Sequence, residues 1–318
     1  MFRRVTVLVV SGALVASAWA QTGNPNDIYV TSDAHHEVYQ FERNNPWNHV
    51  PGNYPGALGG TYSQVFSNPS QLQTNSPYLG AVGGPSDNFF IGGFNGLIEI
   101  DSTSGAYVRT VASGFRLGPA EAPNGNIVIG GPTGVEEYDS SNGNFVRTVN
   151  GVGDGANMYA FNGNDMYVSR WSDSGFGVQR YDFVSGAPIG ATIPVPFGPQ
   201  EIGFGPDGAL YATALYEGAA FVGLWRYDFG AGTWSRFIDT SSLTGTGPHG
   251  FTYDPANYDI YLAFQTGEIF RFDVNGTYLN QIAFVPTKLT DILFKEVVPE
   301  PATLLLGAAG LALLLRRR

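Results

Sequence analysis

Hydrophobic and polar residues alternate in short segments along most of the chain, and turn residues separate the segments. Clear examples are residues 27–30, 126–129, 209–212 and 259–262. Alternation with a period of two is typical of half-buried β-strands. The separating sequences, such as Asn124-Gly125 and Asp207-Gly208, supply the residues that tight hairpins need. Residues 21–296 show no convincing helical period, so the pattern predicts an all-β body.

A repeated signature sets the arrangement of these strands. Hydrophobic residues followed by an acid recur at residues 38–42, 98–101, 136–139, 179–182, 225–228 and 270–273. From Asp101 onward the acids lie 38, 43, 46 and 45 residues apart, which is the spacing of four-stranded propeller blades. The six signatures therefore predict a six-bladed β-propeller.

The two ends of the body predict how the propeller closes. The first strand, near residues 27–31, has no innermost strand before it, and residues 290–294 form a strand left over at the other end. Residues 44–75 are rich in Pro, Gly and Asn and are interpreted as an outer strand with an extended loop. We expect the first and last strands to pair, because this joins the first and last blades without an open edge.

The N-terminus has the features of a secretion signal. Arg3 and Arg4 precede an apolar run over residues 5–16, and Ala18-Trp19-Ala20 follows it. The run is too short to span a bilayer, and small residues at Ala18 and Ala20 suit cleavage by a signal peptidase after Ala20. Residues 1–20 are therefore predicted to be a signal peptide; the alternative is a buried first helix.

The C-terminus combines three features in a fixed order. Pro299-Glu300-Pro301 precedes an apolar run over residues 302–315, and the chain ends in Arg316, Arg317 and Arg318. Terminal arginines resist crossing a membrane, and the run is marginal for a stable span, so it suits a transient helical anchor. Residues 297–318 form this predicted tail, which leaves residues 21–296 as the propeller.

This order of features resembles the PEP-CTERM sorting signal. In that family an exosortase recognises and removes the tail. The resemblance implies export, transient anchoring in the inner membrane and delivery to the cell surface or the extracellular space. Because the family is associated with cells that produce exopolysaccharide, it also implies a polysaccharide or a matrix protein as partner.

The cysteine content indicates how the chain is stabilised, and its net charge narrows the choice of partners. The chain has no cysteine, so a buried core rather than disulfide bonds must stabilise it. Its net charge is −11, and the five arginines and one glutamate of the two ends carry +4, which leaves −15 on the body. Such a body repels nucleic acid, whose binding depends on Lys and Arg.

Candidate chemistry lies on the innermost strands, which line the central channel of a propeller. Aligning these strands on their turns places Asn157, Glu201 and Asp291 at equivalent positions, with His249 one residue earlier in its own blade. Glycines at 80, 118 and 250 fill the other places. Carboxylate and amide oxygens suit Ca²⁺, and a nearby histidine would also permit Zn²⁺ or Mn²⁺. Alternatively, these polar residues hydrate the channel or cap strand ends.

Residues 199–211 look like the repeat of NHL and gluconolactonase-type propellers. The gluconolactonase-like family holds a divalent metal with a Glu, an Asn and an Asp, so the resemblance implies a metal-dependent lactonase. The order Asn157, Glu201, Asp291 departs from the early Glu of that family. We find no nucleophile elbow, Walker loop or His-Glu-x-x-His motif. The preferred hypothesis is therefore a non-enzymatic binding module; the alternatives are a lactonase and a purely structural propeller.

Two sets of loop residues complete the candidates. His35 and His36 fall in a loop of the first blade and are interpreted as a solvated loop rather than as metal ligands, because neighbours on a strand point apart. Trp171, Tyr216 and Phe221 occupy comparable loops of later blades. Their aromatic faces could stack on sugars or pack against the core.

Overall fold

The computed structural model describes residues 28–32, 37–41, 64–67, 81–83, 88–93, 96–101, 106–149, 152, 156–172, 175–215, 218–285 and 288–294. All regular structure in these ranges is β-strand. The same ranges contain no helix of the length and hydropathy that a membrane span requires. The predicted signal peptide and sorting tail lie outside the described residues.

The described strands form six sheets of four strands each. The first sheet contains β1 (Ile28–Ser32), β2 (Glu37–Phe41), β3 (Gln64–Ser67) and the last strand of the chain. The second contains β4 (Ala81–Gly83), β5 (Phe89–Gly93), β6 (Gly96–Ile100) and β7 (Tyr107–Ser113). The third contains β8 (Ala120–Glu121), β9 (Ile127–Gly131), β10 (Gly134–Tyr138) and β11 (Phe145–Val149).

The other three sheets follow the same order from the innermost strand outward. The fourth contains β12 (Ala156–Asn162), β13 (Asp165–Ser172), β14 (Gly175–Asp182) and β15 (Pro188–Val195). The fifth contains β16 (Pro199–Phe204), β17 (Leu210–Ala214), β18 (Gly223–Asp228) and β19 (Thr233–Asp239). The sixth contains β20 (Pro248–Tyr253), β21 (Ile260–Phe264), β22 (Glu268–Phe272) and β23 (Tyr278–Phe284), and β24 (Leu289–Phe294) returns to the first sheet.

The six sheets are the blades of a propeller, numbered here in that order. Their innermost strands contact one another in the cyclic order β24, β4, β8, β12, β16, β20, and β20 contacts β24 again. This ring surrounds the central channel. The predicted all-β propeller is confirmed.

The ring closes through blade 1, where the first and last described strands pair. β24 runs antiparallel to β1, from Ile28 opposite Phe294 to Thr31 opposite Asp291. The hydroxyl groups of Thr31 and Thr290 are hydrogen-bonded across this pair at 3.0 Å and are buried. The predicted closure is confirmed, and the outer strand expected within residues 44–75 is β3.

The core lies between neighbouring blades rather than at one centre. Phe89 and Ile91 of β5 pack with Tyr29 of blade 1, while Phe90 between them packs with Ile127 of blade 3. Successive side chains of a strand point to opposite faces, and both faces of a blade are covered. Second strands such as β5 and β21 are therefore buried on both faces, rather than half-buried as the alternating pattern predicted. Burying a side chain such as that of Phe89 or Phe90 contributes about 1.5–3 kcal/mol to the stability of the fold.

The repeated acid of the sequence signature stabilises a turn after the third strand of its blade. Asp139 accepts the backbone N–H of Ser141 at 2.8 Å, and Asp182 accepts that of Ser185 at 2.7 Å. Asp228 and Asp273 accept the N–H groups of Gly230 and Asn275 in the same way, at 2.7 and 2.9 Å. Hydrogen bonds within these turns lower the pKa of each carboxyl group. The largest causes are the hydroxyl groups of Ser141 and Ser185 for Asp139 and Asp182, and the N–H groups of Ala231 and Thr277 for Asp228 and Asp273. The blade-length repeat is therefore a repeat of Asx turns.

A second repeat joins the start of the second strand to the third strand by polar contacts. In blade 3, Asn126 donates to Glu137 at 2.6 Å, and Arg147 of the outer strand pairs with the same carboxylate. In blade 6 the two places hold Asp259 and Arg271, whose carboxylate and Nε lie 2.7 Å apart. Blade 2 follows the first form and blade 4 the second, with the pairs Asn88–Glu99 and Asp165–Arg180. The charges are exchanged between blades, but the contact is kept.

Candidate functional site

A β-bulge interrupts four of the innermost strands near the end where the chain enters each strand. In β12 Asn157 and Met158 face one residue of β13, and in β16 two residues that include Glu201 face one residue of β17. His249 is the extra residue of β20, and Thr290, next to Asp291, is that of β24. A bulge bends the strand and redirects its side chains. All four predicted channel residues therefore lie in or beside a bulge.

Buried hydroxyl groups of the second strands hold two of these bulges in place. The N–H of Glu201 donates to the Oγ1 of Thr213 at 3.0 Å, and this hydroxyl donates to the carbonyl of His249 at 2.9 Å. In blade 4 the N–H of Met158 donates to the Oγ of Ser169 at 3.0 Å. These bonds satisfy backbone groups that the bulge takes out of the ladder. The two bonds of the Thr213 hydroxyl group also tie β16 to its neighbour β20.

Glu201 reaches across the channel wall to the next blade. Its Oε2 accepts the N–H of Phe251 on β20 at 2.7 Å. Gly250 makes this approach possible, because a Cβ there would lie 2.8 Å from the Cα of Asp291 and 3.1 Å from Oε2 of Glu201. The main chain of Asp291 and the carboxylate of Glu201 therefore both occupy the space that a side chain of residue 250 would need.

The two carboxylates share a water-poor environment. Asp291 is 5% exposed, and its Oδ1 accepts the N–H of Ile292 at 2.7 Å. Burial, and next the negative charge of Asp291, raise the pKa of Glu201 well above its usual range, and the Phe251 N–H opposes this shift only in part. Two carboxylates in such surroundings repel each other, and either a proton or a cation relieves the repulsion.

His249 is buried in the same wall, on the strand between those that carry the two acids. Burial lowers its pKa to about 4, against a backbone hydrogen bond involving Thr290 that acts in the opposite direction. The imidazole is therefore neutral at pH 7, the form in which histidine can bind a metal.

The structure brings Glu201 and Asp291 together and places His249 on the strand between them. Asn157 lies in β12, which contacts β16, but its side chain lies outside the described residues. Among the described residues, no group of three or more His, Asp or Glu side chains is arranged to hold a metal ion. The carboxylate pair has the donor chemistry of a Ca²⁺ site but not a full set of ligands. The metal assignment stays a prediction.

Most of the other residues that the sequence singled out lie outside the described part of the chain. The residues of the sorting tail, the cleavage residues Ala18 and Ala20, and His35, His36 and Tyr216 all lie outside the described residues. Trp171 lies in β13, and its side chain is not described. Phe221 packs its ring on Trp225, with centroids 6.2 Å apart, and its carbonyl accepts the indole N–H at 2.6 Å. Phe221 therefore has a packing role.

Sequence reasoning missed the residues that shape this wall. The sequence pattern gives Gly250 no role beyond its place in the strand alignment, and it gives the hydroxyl groups of Ser169 and Thr213 none. A small hydroxyl residue directly after apolar residues of a second strand, as in Tyr167-Val168-Ser169 and Tyr211-Ala212-Thr213, is the signal that could have marked the bulge opposite it.

Comparisons with known proteins add a sorting motif and a fold. Residues 297–318 match the PEP-CTERM protein-sorting motif. The chain is similar in structure to a protein of unknown function from Bacteroides caccae, with 11% identity, a TM-score of 0.60 and coverage of 84% of this chain and 98% of that one. It is also similar to a gluconolactonase from Xanthomonas campestris, with 16% identity, a TM-score of 0.52 and coverage of 67% and 77%.

At these identities the structural likeness shows the propeller fold alone. No curated protein matches the sequence. The PEP-CTERM motif implies export, a membrane-anchored sorting signal and exosortase-dependent sorting. The chain is therefore an exported β-propeller that carries a C-terminal PEP-CTERM sorting motif.

Proposed function

We propose that the protein is a non-enzymatic binding or scaffold module of the cell surface or extracellular matrix, and that its ligand is exopolysaccharide or a matrix protein. The observation that carries this proposal is the PEP-CTERM match at residues 297–318 on a propeller body. In this proposal a signal peptidase removes residues 1–20, and an exosortase then releases the body from its transient anchor in the inner membrane.

The surface of the outer strands supports a binding role. β7, β11 and β23 each begin with an exposed aromatic residue, namely Tyr107, Phe145 and Tyr278. An exposed aliphatic residue follows each of them. Aromatic faces of this kind stack on the apolar faces of sugar rings. Because the same pair recurs on several blades, a polymer of repeated units would meet several weak sites at once and gain avidity.

Charge favours a neutral glycan over an acidic one. The body carries a net charge of −15 once the two ends are removed. A surface of that sign slows the approach of an anionic polymer and weakens its binding. Uncharged sugars are not affected in this way.

The proposal is tested by co-sedimentation of the released protein with exopolysaccharide purified from the producing cells. We expect the wild-type protein to sediment with the polymer at physiological salt. A triple variant, Tyr107→Ala, Phe145→Ala and Tyr278→Ala, should sediment several-fold less. If wild-type protein stays in the supernatant with exopolysaccharide and with matrix extract alike, the binding role is wrong.

One observation favours a second candidate, a metal-dependent lactonase or related hydrolase. This is the meeting of Glu201 and Asp291 in the channel wall. Under this alternative Asn157, Glu201, Asp291 and His249 hold Ca²⁺ or another divalent ion, which would polarise a substrate carbonyl. Metal analysis of the purified protein separates the candidates. An equimolar bound ion together with lactone hydrolysis would favour the enzyme, and an ion-free protein with an unchanged melting curve after chelation would reject it.

A further inference from the structure

A cleft with a volume of about 410 Å³ lies between blades 3 and 4. Blade 3 contributes the turn between β8 and β9 and the outer strand β11. Blade 4 contributes Asn164 of the turn between β12 and β13, and Phe183 and Val184 of the turn after β14. The cleft is therefore separate from the channel wall that holds Glu201 and Asp291.

The floor of the cleft is a fixed hydrogen-bonding group. Glu137 of β10 is 2% exposed, and its Oε1 accepts the side-chain amides of Asn124 and Asn126 at 2.7 and 2.6 Å. Its Oε2 accepts the Nε–H of Arg147 at 2.6 Å. Burial acts to raise the pKa of Glu137, but these hydrogen bonds outweigh it and the pKa is lowered. The single negative charge of the floor is thus paired with a single positive charge.

Arg147 also fixes the width of the cleft. Its Nη1 and Nη2 donate to the carbonyls of Val184 and Phe183 at 2.6 and 2.8 Å, which joins blade 3 to blade 4. The guanidinium carbon lies 4.9 Å from the centroid of the Phe183 ring. A site held open by such contacts loses little conformational entropy when a ligand enters.

The rim of the cleft is apolar on both sides. Val184 is 65% exposed and Val146 is 47% exposed, although each is a large aliphatic residue. Asn164, also exposed, adds an amide beside them. Hydrogen-bonding groups at the floor, with apolar groups at the rim, suit a ligand that has hydroxyl groups around an apolar face.

The hydrogen-bonding capacity of the floor also points to such a ligand. Each Asn amide has two N–H donors, and the bonds to Glu137 use one donor of Asn124 and one of Asn126. The second donors and the amide of Asn164 are available to ligand hydroxyl groups. Because Glu137 and Arg147 neutralise each other, the cleft offers no net charge to attract an ionic ligand.

We propose that this cleft between blades 3 and 4 is a binding site for a neutral sugar unit of a glycan. The inference rests on the proposed binding function and gives it a location. The volume is at the lower end of the range found for small-molecule sites, which suits one or two sugar rings. An acidic sugar would meet the negative charge of the whole body.

The site is tested with the full-length protein by saturation-transfer NMR and calorimetry. The neutral probes are cellotetraose, maltotetraose and mannotetraose, and tetragalacturonate is the acidic probe. The test variant is Val184→Glu, which places bulk and charge on the rim. Its matched control is Val274→Glu, which makes the same change at an exposed valine in the corresponding turn of blade 6.

We expect at least one neutral tetrasaccharide to bind both the wild type and Val274→Glu. Val184→Glu should bind it at least tenfold more weakly, and Asn164→Ala several-fold more weakly. Equal affinity of wild type and Val184→Glu would overturn the inference. So would preferential binding of tetragalacturonate, or no binding of any neutral probe.

The exopolysaccharide assay distinguishes this inference from the proposed function. If Val184→Glu sediments with the polymer as well as wild type does, the cleft is not the site but the binding function stands. If the wild type itself sediments with neither exopolysaccharide nor matrix extract, the binding function fails and the inference fails with it.

Discussion

At the scale of single residues, the channel wall depends on one glycine and two acids. Gly250 has an ordinary backbone conformation, so its role is to leave space rather than to adopt a positive φ. The space is filled by the main chain of Asp291 and the carboxylate of Glu201. Strands β20 and β24 can therefore approach each other closely only at a residue without a side chain.

Replacing Gly250 by alanine should destabilise the protein. The new Cβ would lie 2.8 Å from the Cα of Asp291, and a backbone atom cannot rotate away. We expect a loss of about 2 kcal/mol in the free energy of unfolding, the cost typical of overpacking. Urea denaturation measures it. Gly230→Ala, in an exposed turn where the Cβ meets only Asp228 at 3.2 Å, is the control and should cost much less. Equal losses would contradict the packing role.

Glu201→Gln should stabilise the metal-free protein at pH 7. The pKa of Glu201 is raised in the folded state. The stability that its protonated carboxyl group contributes is therefore fully present below the unfolded pKa, and it is lost as the pH rises through the folded pKa. Glutamine keeps an acceptor for the N–H of Phe251 but removes the repulsion by Asp291. We expect a higher melting temperature than wild type at pH 7 in the presence of a chelator, and a smaller difference near pH 4. A lower melting temperature at pH 7 under these conditions would contradict this account.

At the scale of strands and turns, the same contact is built with different residues. In blade 3, Asn126 precedes the second strand and bonds to Glu137 of the third strand. In blade 6 the corresponding residues are Asp259 and Arg271. What is kept is a polar pair that ties two strands together at the end of a blade. The exchange of charges shows why the repeat is weak at the level of single residues.

Glu137→Gln should cost more stability than Asp165→Asn. Glu137 is buried and accepts three hydrogen bonds, so losing its charge leaves Arg147 without a counterion. We expect a loss of about 2 kcal/mol, as for hydrogen bonds to charged groups. Asp165 pairs with Arg180 in a more exposed position, where such pairs contribute at most about 1 kcal/mol. Chemical denaturation of both variants checks the order, and a larger loss for Asp165→Asn would contradict it.

The sequence predicted the strands and their repeat because both depend on local physics. Asp139, Asp182, Asp228 and Asp273 bond the backbone within four residues, so their spacing follows the blades directly. The approach of Gly250 to Asp291 could not be predicted, because it depends on how two blades pack. The cleft under Val184 has the same origin, since its two walls are far apart in the chain. Alignment on turns placed Glu201 and Asp291 at equivalent positions, and the bulges brought them together.

At the scale of the whole molecule, the propeller is closed by the pairing of β1 with β24. Without β24, the hydrogen-bonding edge of β1 would be exposed, and apolar residues such as Ile28 and Val30 would lose Ile292 as a partner. A propeller avoids open edges only when this last strand is in place. Stability of the first blade therefore depends on residues near the end of the body.

Truncation before Thr290 should destabilise the protein far more than truncation after Glu296. The first cut removes most of β24, while the second leaves it complete. We expect the first variant to melt at a much lower temperature or to aggregate, and the second to melt like the full body. Differential scanning calorimetry compares them. Similar melting temperatures would show that closure by β24 contributes little.

Export and sorting of the propeller depend on its PEP-CTERM motif. The most direct test is a pulse–chase fractionation of the full-length protein in cells with and without an exosortase. We predict a membrane-bound form that is converted to a shorter released form only when the exosortase is present. A variant lacking residues 297–318 should be released without the membrane-bound stage. Release of the full-length protein at the same rate in both cell types, with no membrane-bound form, would contradict the account.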